Sequence, residues 1–315
     1  MSAEFIYESA PFPSCHASTI VETTPGNFLA AWFGGSKEGA NDVCIYLSRR
    51  SSGTWSTPEK VAEDKESPCW NPVLFRERKT GEVTLFYKAG PSPSSWSGFY
   101  RRSTDNGATF GESYILPAGL LGPIKNKPIQ LADGTILAPT SVESHQAWAC
   151  WVERSTDNGR TWTRQGPIHH PRHPRGIIQP SILQRKDGSL FMLMRSTSAI
   201  GQVCIADSRD AGLTWSAARA VDELPNPNSG TDAVTLADGR HVLVYNPTHK
   251  GRTPLVLALS EDDGQSWRQV KVLEDEPGEY SYPAVIQAAD GSVHTTYTWK
   301  RQRVRHQWFA LSELA

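Results

Sequence analysis

Ser155-Thr156-Asp157-Asn158-Gly159-Arg160-Thr161-Trp162 is the stretch that decides the fold, because it recurs. Ser103 to Phe110, Ser208 to Trp215 and Ser260 to Trp267 fit the same pattern, Ser-x-Asp-x-Gly-x-Thr/Ser followed by Trp or Phe. Ser48 to Trp55 is a degenerate fifth copy that keeps Gly53, Thr54 and Trp55 but lacks the Asp. The residue types describe a turn. An Asp carboxylate accepts from backbone amides just ahead of it, and Gly supplies a positive φ. The aromatic residue opens the next strand and packs behind it. These aspartates therefore read as scaffold rather than chemistry. Successive copies lie about 50 residues apart, the length of a four-stranded propeller blade.

A second element precedes each turn, a short apolar strand often opening x-Pro. It reads His16-Ala17-Ser18-Thr19-Ile20, Asn71-Pro72-Val73-Leu74, Lys127-Pro128-Ile129, Gln179-Pro180-Ser181-Ile182, Asp232-Ala233-Val234 and Tyr282-Pro283-Ala284-Val285. In four units an Asp-Gly turn follows, at Asp133-Gly134, Asp187-Gly188, Asp238-Gly239 and Asp290-Gly291. Each turn opens a further apolar strand, which is a hairpin signature. Helical periodicity is weak, and no linker divides the chain. The expectation is an all-β, six-bladed β-propeller occupying residues 1–315 as a single domain.

Composition narrows the function. The chain has 315 residues, formal charge −1, 25 Gly, 22 Pro and 11 Trp. A nucleic-acid binder would carry a basic excess, and none is present. Cys15, Cys44, Cys69, Cys150 and Cys204 are odd in number and form no Cys-x-x-Cys pair, which points to buried thiols rather than disulfides or zinc. No stretch reaches the roughly 18 apolar residues of a membrane span. The N-terminal residues lack a basic-then-apolar leader, so the chain reads as cytoplasmic, or as secreted if a leader has been trimmed. No cofactor motif or metal site is evident. His169, His170 and His173 cluster in a Pro-rich loop that reads as solvated.

The innermost strands of a propeller surround one axis. Their leading residues here are His16, Asn71, Lys127, Gln179, Asp232 and Tyr282, each polar or aromatic before an apolar run. That pattern predicts a polar funnel for a hydroxyl-rich or charged ligand.

These residues carry a resemblance to the sialidase (neuraminidase) family with Asp-box repeats, over almost the whole chain. Ile178-Gln179-Pro180-Ser181, then Asp187-Gly188, then Met194-Arg195-Ser196 is similar to the family's blade bearing a catalytic Glu and one carboxylate-binding arginine. Asn246-Pro247, then Arg252, matches the position of a second arginine. Tyr282, or Tyr280 close by, sits where the family has its nucleophilic Tyr. Two departures stand out: His16 replaces the first arginine of the family's triad, and Gln179 replaces the Glu that activates the Tyr. For the general acid, Glu38 and Asp42 both qualify.

Two arginines facing one pocket suit a carboxylate, with Lys125, Lys127, Lys88 and Arg301 adding positive field. Tyr titrates near 10 and needs a base; Gln179 cannot serve, and His16 has the titration range to do so instead. The resemblance implies an exo-glycosidase acting on a terminal acidic-sugar linkage. A second expectation is elimination, or rhamnosidase-type cleavage, at a rhamnosyl-glucuronate linkage, with His16 or Tyr282 as base. A third is a non-catalytic binder of acidic sugars. The expected partner is an acidic oligosaccharide or glycoconjugate.

Overall fold

The computed structural model describes residues 2–314. Each of the four full motif copies follows the third strand of a sheet, at Ser103, Ser155, Ser208 and Ser260. In the copy at 155–162, Ser155 Oγ donates to Asp157 Oδ1 at 2.8 Å and accepts from the Gly159 amide at 2.8 Å. The Thr161 amide and hydroxyl donate to Asp157 at 2.9 and 2.6 Å. Asn158 and Gly159 turn the chain with φ of 59° and 75°. The same set recurs around Asp105, Asp210 and Asp262. The degenerate copy shows what the carboxylate contributes. With no Asp beside it, Ser48 Oγ is buried and has no hydrogen-bond partner among the described residues.

Hydrogen bonds from the Thr hydroxyl and then its amide hold these carboxyls down, Asp157 to about 2 and Asp105 and Asp210 likewise below the usual range. A carboxyl depressed on folding stabilises the fold above its unfolded value, near 3.9, and that stability is lost as pH falls through the folded value. The contribution of these carboxyls to the thermal midpoint is therefore expected to be flat above about pH 5 and to fall steeply between about pH 4 and 2. Asp→Asn changes at positions 157 and 210 should flatten that fall. A calorimetric pH series in which wild type and variants fall in parallel would refute this.

The strands form six antiparallel sheets. The first blade carries Ser14–Thr24, Asn27–Gly35 and Cys44–Ser51, edged by Thr54–Trp55 and Glu59–Ala62. The innermost strands of the others are Cys69–Arg76, Ile129–Gln130, Ile177–Gln184, Asp232–Thr235 and Tyr280–Gln287. The sixth sheet takes its outer strand, Ser2–Phe5, from the N-terminal end of the chain, paired with Arg303–Phe309. Glu4 fastens this closure. Its Oε1 accepts from Arg50 Nε at 2.9 Å, Trp55 Nε1 at 2.8 Å and His306 Nδ1 at 3.0 Å. Apolar residues pack between sheets, and four of the five free cysteines lie buried among them.

The innermost strands are not regular. Asn71, Gln179 and Tyr282 have φ of 37°, 54° and 50°, each at a register shift. In the first blade the left-handed residue is Ala17, φ 58°, so His16 is one position out of step with those three. Left-handed geometry costs a bulky residue on the order of 1–3 kcal/mol and persists only where its surroundings impose it. At Gln179 they do so. Its amide donates to Ser141 Oγ at 3.2 Å, and its carbonyl accepts from Asn126 Nδ2 at 3.0 Å. The bulges turn these side chains toward one end of the axis.

Candidate functional site

Tyr282 stands at the centre of that end. Its Oη accepts from Arg195 Nη1 at 2.8 Å and lies 3.3 Å from Gln179 Nε2. Arg195 Nη1 also donates to Gln179 Oε1 at 3.2 Å, closing a three-membered network. His16 does not hydrogen-bond the tyrosine. Its ring stacks on it, with centroids 4.0 Å apart, while Nδ1 meets Thr298 Oγ1 at 3.0 Å. Tyr280 is turned away, buried in apolar core beside Trp299.

Cations surround this pair. The guanidinium carbons of Arg195 and Arg252 each lie 5.7 Å from the Tyr282 ring centroid, and Lys125 Nζ lies 5.8 Å from it. Arg301 lies on the turn whose carbonyl accepts from the Cys15 amide at 2.8 Å, next to His16. Burial first, then Arg301, Arg252, Arg195 and Lys125, pushes the His16 imidazole well below its ordinary value, so the ring is neutral at neutral pH. Lys125 is itself pushed down to about 7 by burial, with Asp232 pulling the other way. The arginine absent from the first blade is thus matched by one from the sixth.

Two carboxylates hold the arginines in place. Glu279 Oε1 accepts from Arg252 Nη1 at 2.8 Å and Arg301 Nε at 2.9 Å, and Glu38 accepts from Arg301 Nη1. Arg195 Nε is held by Asn228 Oδ1 at 2.8 Å. Among the described residues, Nη2 of each of the three arginines keeps no hydrogen-bond partner. An uncommitted Nη2 on each guanidinium leaves donors of the kind that pair with planar anions, two of the three guanidiniums lying against the Tyr282 ring.

Other expected site residues fall elsewhere. Lys88 is fully buried between blades, donating to the Pro123 carbonyl near Glu153, and does not reach the axis. Lys127 and Asp232 do reach it but satisfy each other at 2.9 Å, and Lys127 lines a cavity of about 670 Å³ at the opposite mouth. Asp232 also accepts from Ser181 Oγ and the Val285 amide, so it ties three inner strands together. Asp42 is spent on the loop, accepting from the Ser36 amide and hydroxyl at 2.9 Å each. Asn71 is buried near the channel with no side-chain hydrogen bond to another described residue. The sequence reading missed Glu279, Asn228 and Glu143. It also missed Gly230, where a Cβ would lie 2.2 Å from the Tyr282 ring.

The fold and this cluster define a sialidase-like propeller. The chain matches the BNR repeat-like domain family over residues 26–295, and it belongs to that family. A sialidase from Micromonospora viridifaciens is 22% identical over 329 aligned residues, covering 91% of this chain and 50% of the relative. The chain therefore spans about half that relative's length. Among solved structures, a protein of unknown function from Dyadobacter fermentans superposes with a TM-score of 0.81 at 17% identity, covering 97% of each chain. The NanB sialidase of Streptococcus pneumoniae superposes at 0.80 and 12% identity, covering 99% of this chain and 71% of that one.

Proposed function

We propose that this protein is a carbohydrate-active enzyme that binds the carboxylate of a terminal acidic sugar and cleaves its glycosidic linkage. The observation that carries this reading is the convergence of Arg195 and Arg252 on Tyr282, with Arg301 beside the His16 ring that stacks on it. Three charge-assisted donors orient a carboxylated ring with its reactive carbon toward the tyrosine hydroxyl. A neutral tyrosine is suited to a carbon that itself bears a carboxylate, since an anionic nucleophile would be repelled. The similarity to sialidases supports the same substrate class.

A second reading, elimination, is favoured by one feature. Among the described residues, no carboxylate hydrogen-bonds Tyr282 Oη, whereas a neutral imidazole lies against the ring. A neutral His16 is able to take the acidic proton beside a uronate carboxylate that the arginines have neutralised.

Incubation with sialylated and glucuronate-terminated oligosaccharides separates the two. Released acidic sugar with no gain in ultraviolet absorbance is expected. Appearance of an unsaturated uronate chromophore would establish elimination instead. Binding without any product would leave an acidic-sugar receptor and overturn the enzymatic reading.

A further inference from the structure

Glu143 ends the strand Ile136–Glu143 in the third blade. Side chains alternate along a strand, so Glu143 shares a face with Ser141. The Ser141 hydroxyl accepts from the Gln179 amide, which turns that face toward the fourth blade and the catalytic network. Val142, on the other face, lines a separate apolar groove with Ala149 and Trp151. One pleat beyond Ser141, about 7 Å further toward the strand end, the Glu143 carboxyl comes under the influence of Arg195 and, across the mouth, of Glu38. The neighbouring carboxyls are engaged: Asp42 with Ser36, Glu38 with Arg301, Glu279 with Arg252 and Arg301. Glu143 is half-buried and makes no hydrogen bond or ion pair to another described residue.

Resting on the enzymatic reading above, we propose that Glu143 is the general acid of this site. Its carboxyl proton passes to the glycosidic oxygen as the bond from that oxygen to the sugar carbon breaks, releasing the leaving group as an alcohol. In hydrolysis, the water that adds to the carbon returns a proton to the Glu143 carboxylate, and the cycle closes with atoms and charge conserved. Its surroundings suit this role. Burial raises the carboxyl above its ordinary value, Arg195 opposes the rise and Glu38 adds to it. The pair follows a general pattern in which one carboxyl is kept protonated while a neighbour is held in an ion pair.

The test compares wild type with Glu143→Gln on two substrates of the same carboxylated sugar, a natural disaccharide linkage and a nitrophenyl glycoside. Nitrophenolate leaves without a proton. The variant is expected to lose roughly 10²–10⁴-fold in kcat/KM on the disaccharide, much less on the nitrophenyl glycoside, and to lose the alkaline limb of its pH profile. Calorimetry with free N-acetylneuraminic and glucuronic acids should show affinity kept, which also reports that the variant folds. Equal loss on both substrates, or no loss, overturns the assignment while leaving the enzymatic reading intact. A wild-type protein that binds the free acids but turns over neither substrate overturns both.

Discussion

Alanine at Arg195 is expected to lower kcat/KM toward a carboxylated substrate by roughly 30- to 4,000-fold, the effect of about 2–5 kcal/mol for removing one member of a buried charged network. The side chain is only 8% exposed, and its Nε and Nη1 are committed to Asn228, Gln179 and Tyr282. Truncation thus removes the uncommitted Nη2 donor and also deprives three protein acceptors of the Arg195 N–H groups they accept from. Two components follow. Loss of the clamp appears in KM, and loss of the bond that fixes Tyr282 appears in kcat. Methyl-ester substrates should suffer only the second. Arg195→Lys keeps the charge but not the planar fork, so it should recover part of the discrimination between acid and ester and little of the turnover. Equal losses for acid and ester in the alanine variant would remove the carboxylate clamp from the account.

The repeats were legible because their chemistry is local. Asp157 finds its partners within four residues, so spacing alone reveals the turn. The same holds for the Asp-Gly hairpins, where Asp187 Oδ1 accepts from the Ser189 amide two residues on. The candidate site is different, because its members come from separate blades. Arg195, Arg252 and Tyr282 were readable through their position in a family pattern. Arg301 sits in a turn outside that pattern, and its place at the pocket is fixed by distant contacts, to Glu38 263 residues away and to the Cys15 amide beside His16.

Lys88 shows the opposite failure. A lysine near the end of an apolar strand reads as a channel cation, yet its tip meets the Pro123 carbonyl between blades. Whether a strand-end lysine points to the axis or into the sheet stack depends on pleat register, which shifts at the bulges. His16 carries the same ambiguity, one residue out of register with Asn71 and Gln179. Glu143 left no signal in the sequence, because the contact that orients its strand face runs from Gln179 to Ser141 across a blade boundary.

Gly230 gives the sharpest test of how closely this pocket is built. A Cβ there would lie 2.2 and 2.5 Å from Tyr282 Cδ1 and Cε1 and 3.3 Å from Gln179 Oε1. Real side chains do not approach so closely, so either the loop or the ring must move. The ring has little freedom. His16 stacks on one face, Arg195 holds the hydroxyl, and the backbone at Tyr282 is fixed in a left-handed conformation. Gly230→Ala should therefore cost about 1–3 kcal/mol of stability by overpacking. It should also cost on the order of 100-fold in kcat, because a misplacement of about 1 Å at a reacting group has that effect. Affinity for the free acidic sugar should fall only in part, since Arg252 and Arg301 are held by Glu279 while Arg195 is held by Asn228 on this loop. A double-mutant cycle separates strain on the ring from damage elsewhere. With Tyr282→Ser in place the added methyl group has room, and Gly230→Ala should then destabilise the fold little. An undiminished kcat for Gly230→Ala, or the same destabilisation with and without the ring, would mean that Tyr282 is not positioned by this contact. The expected result ties turnover to the placement of one aromatic ring, held by strained backbone, an arginine and a missing side chain.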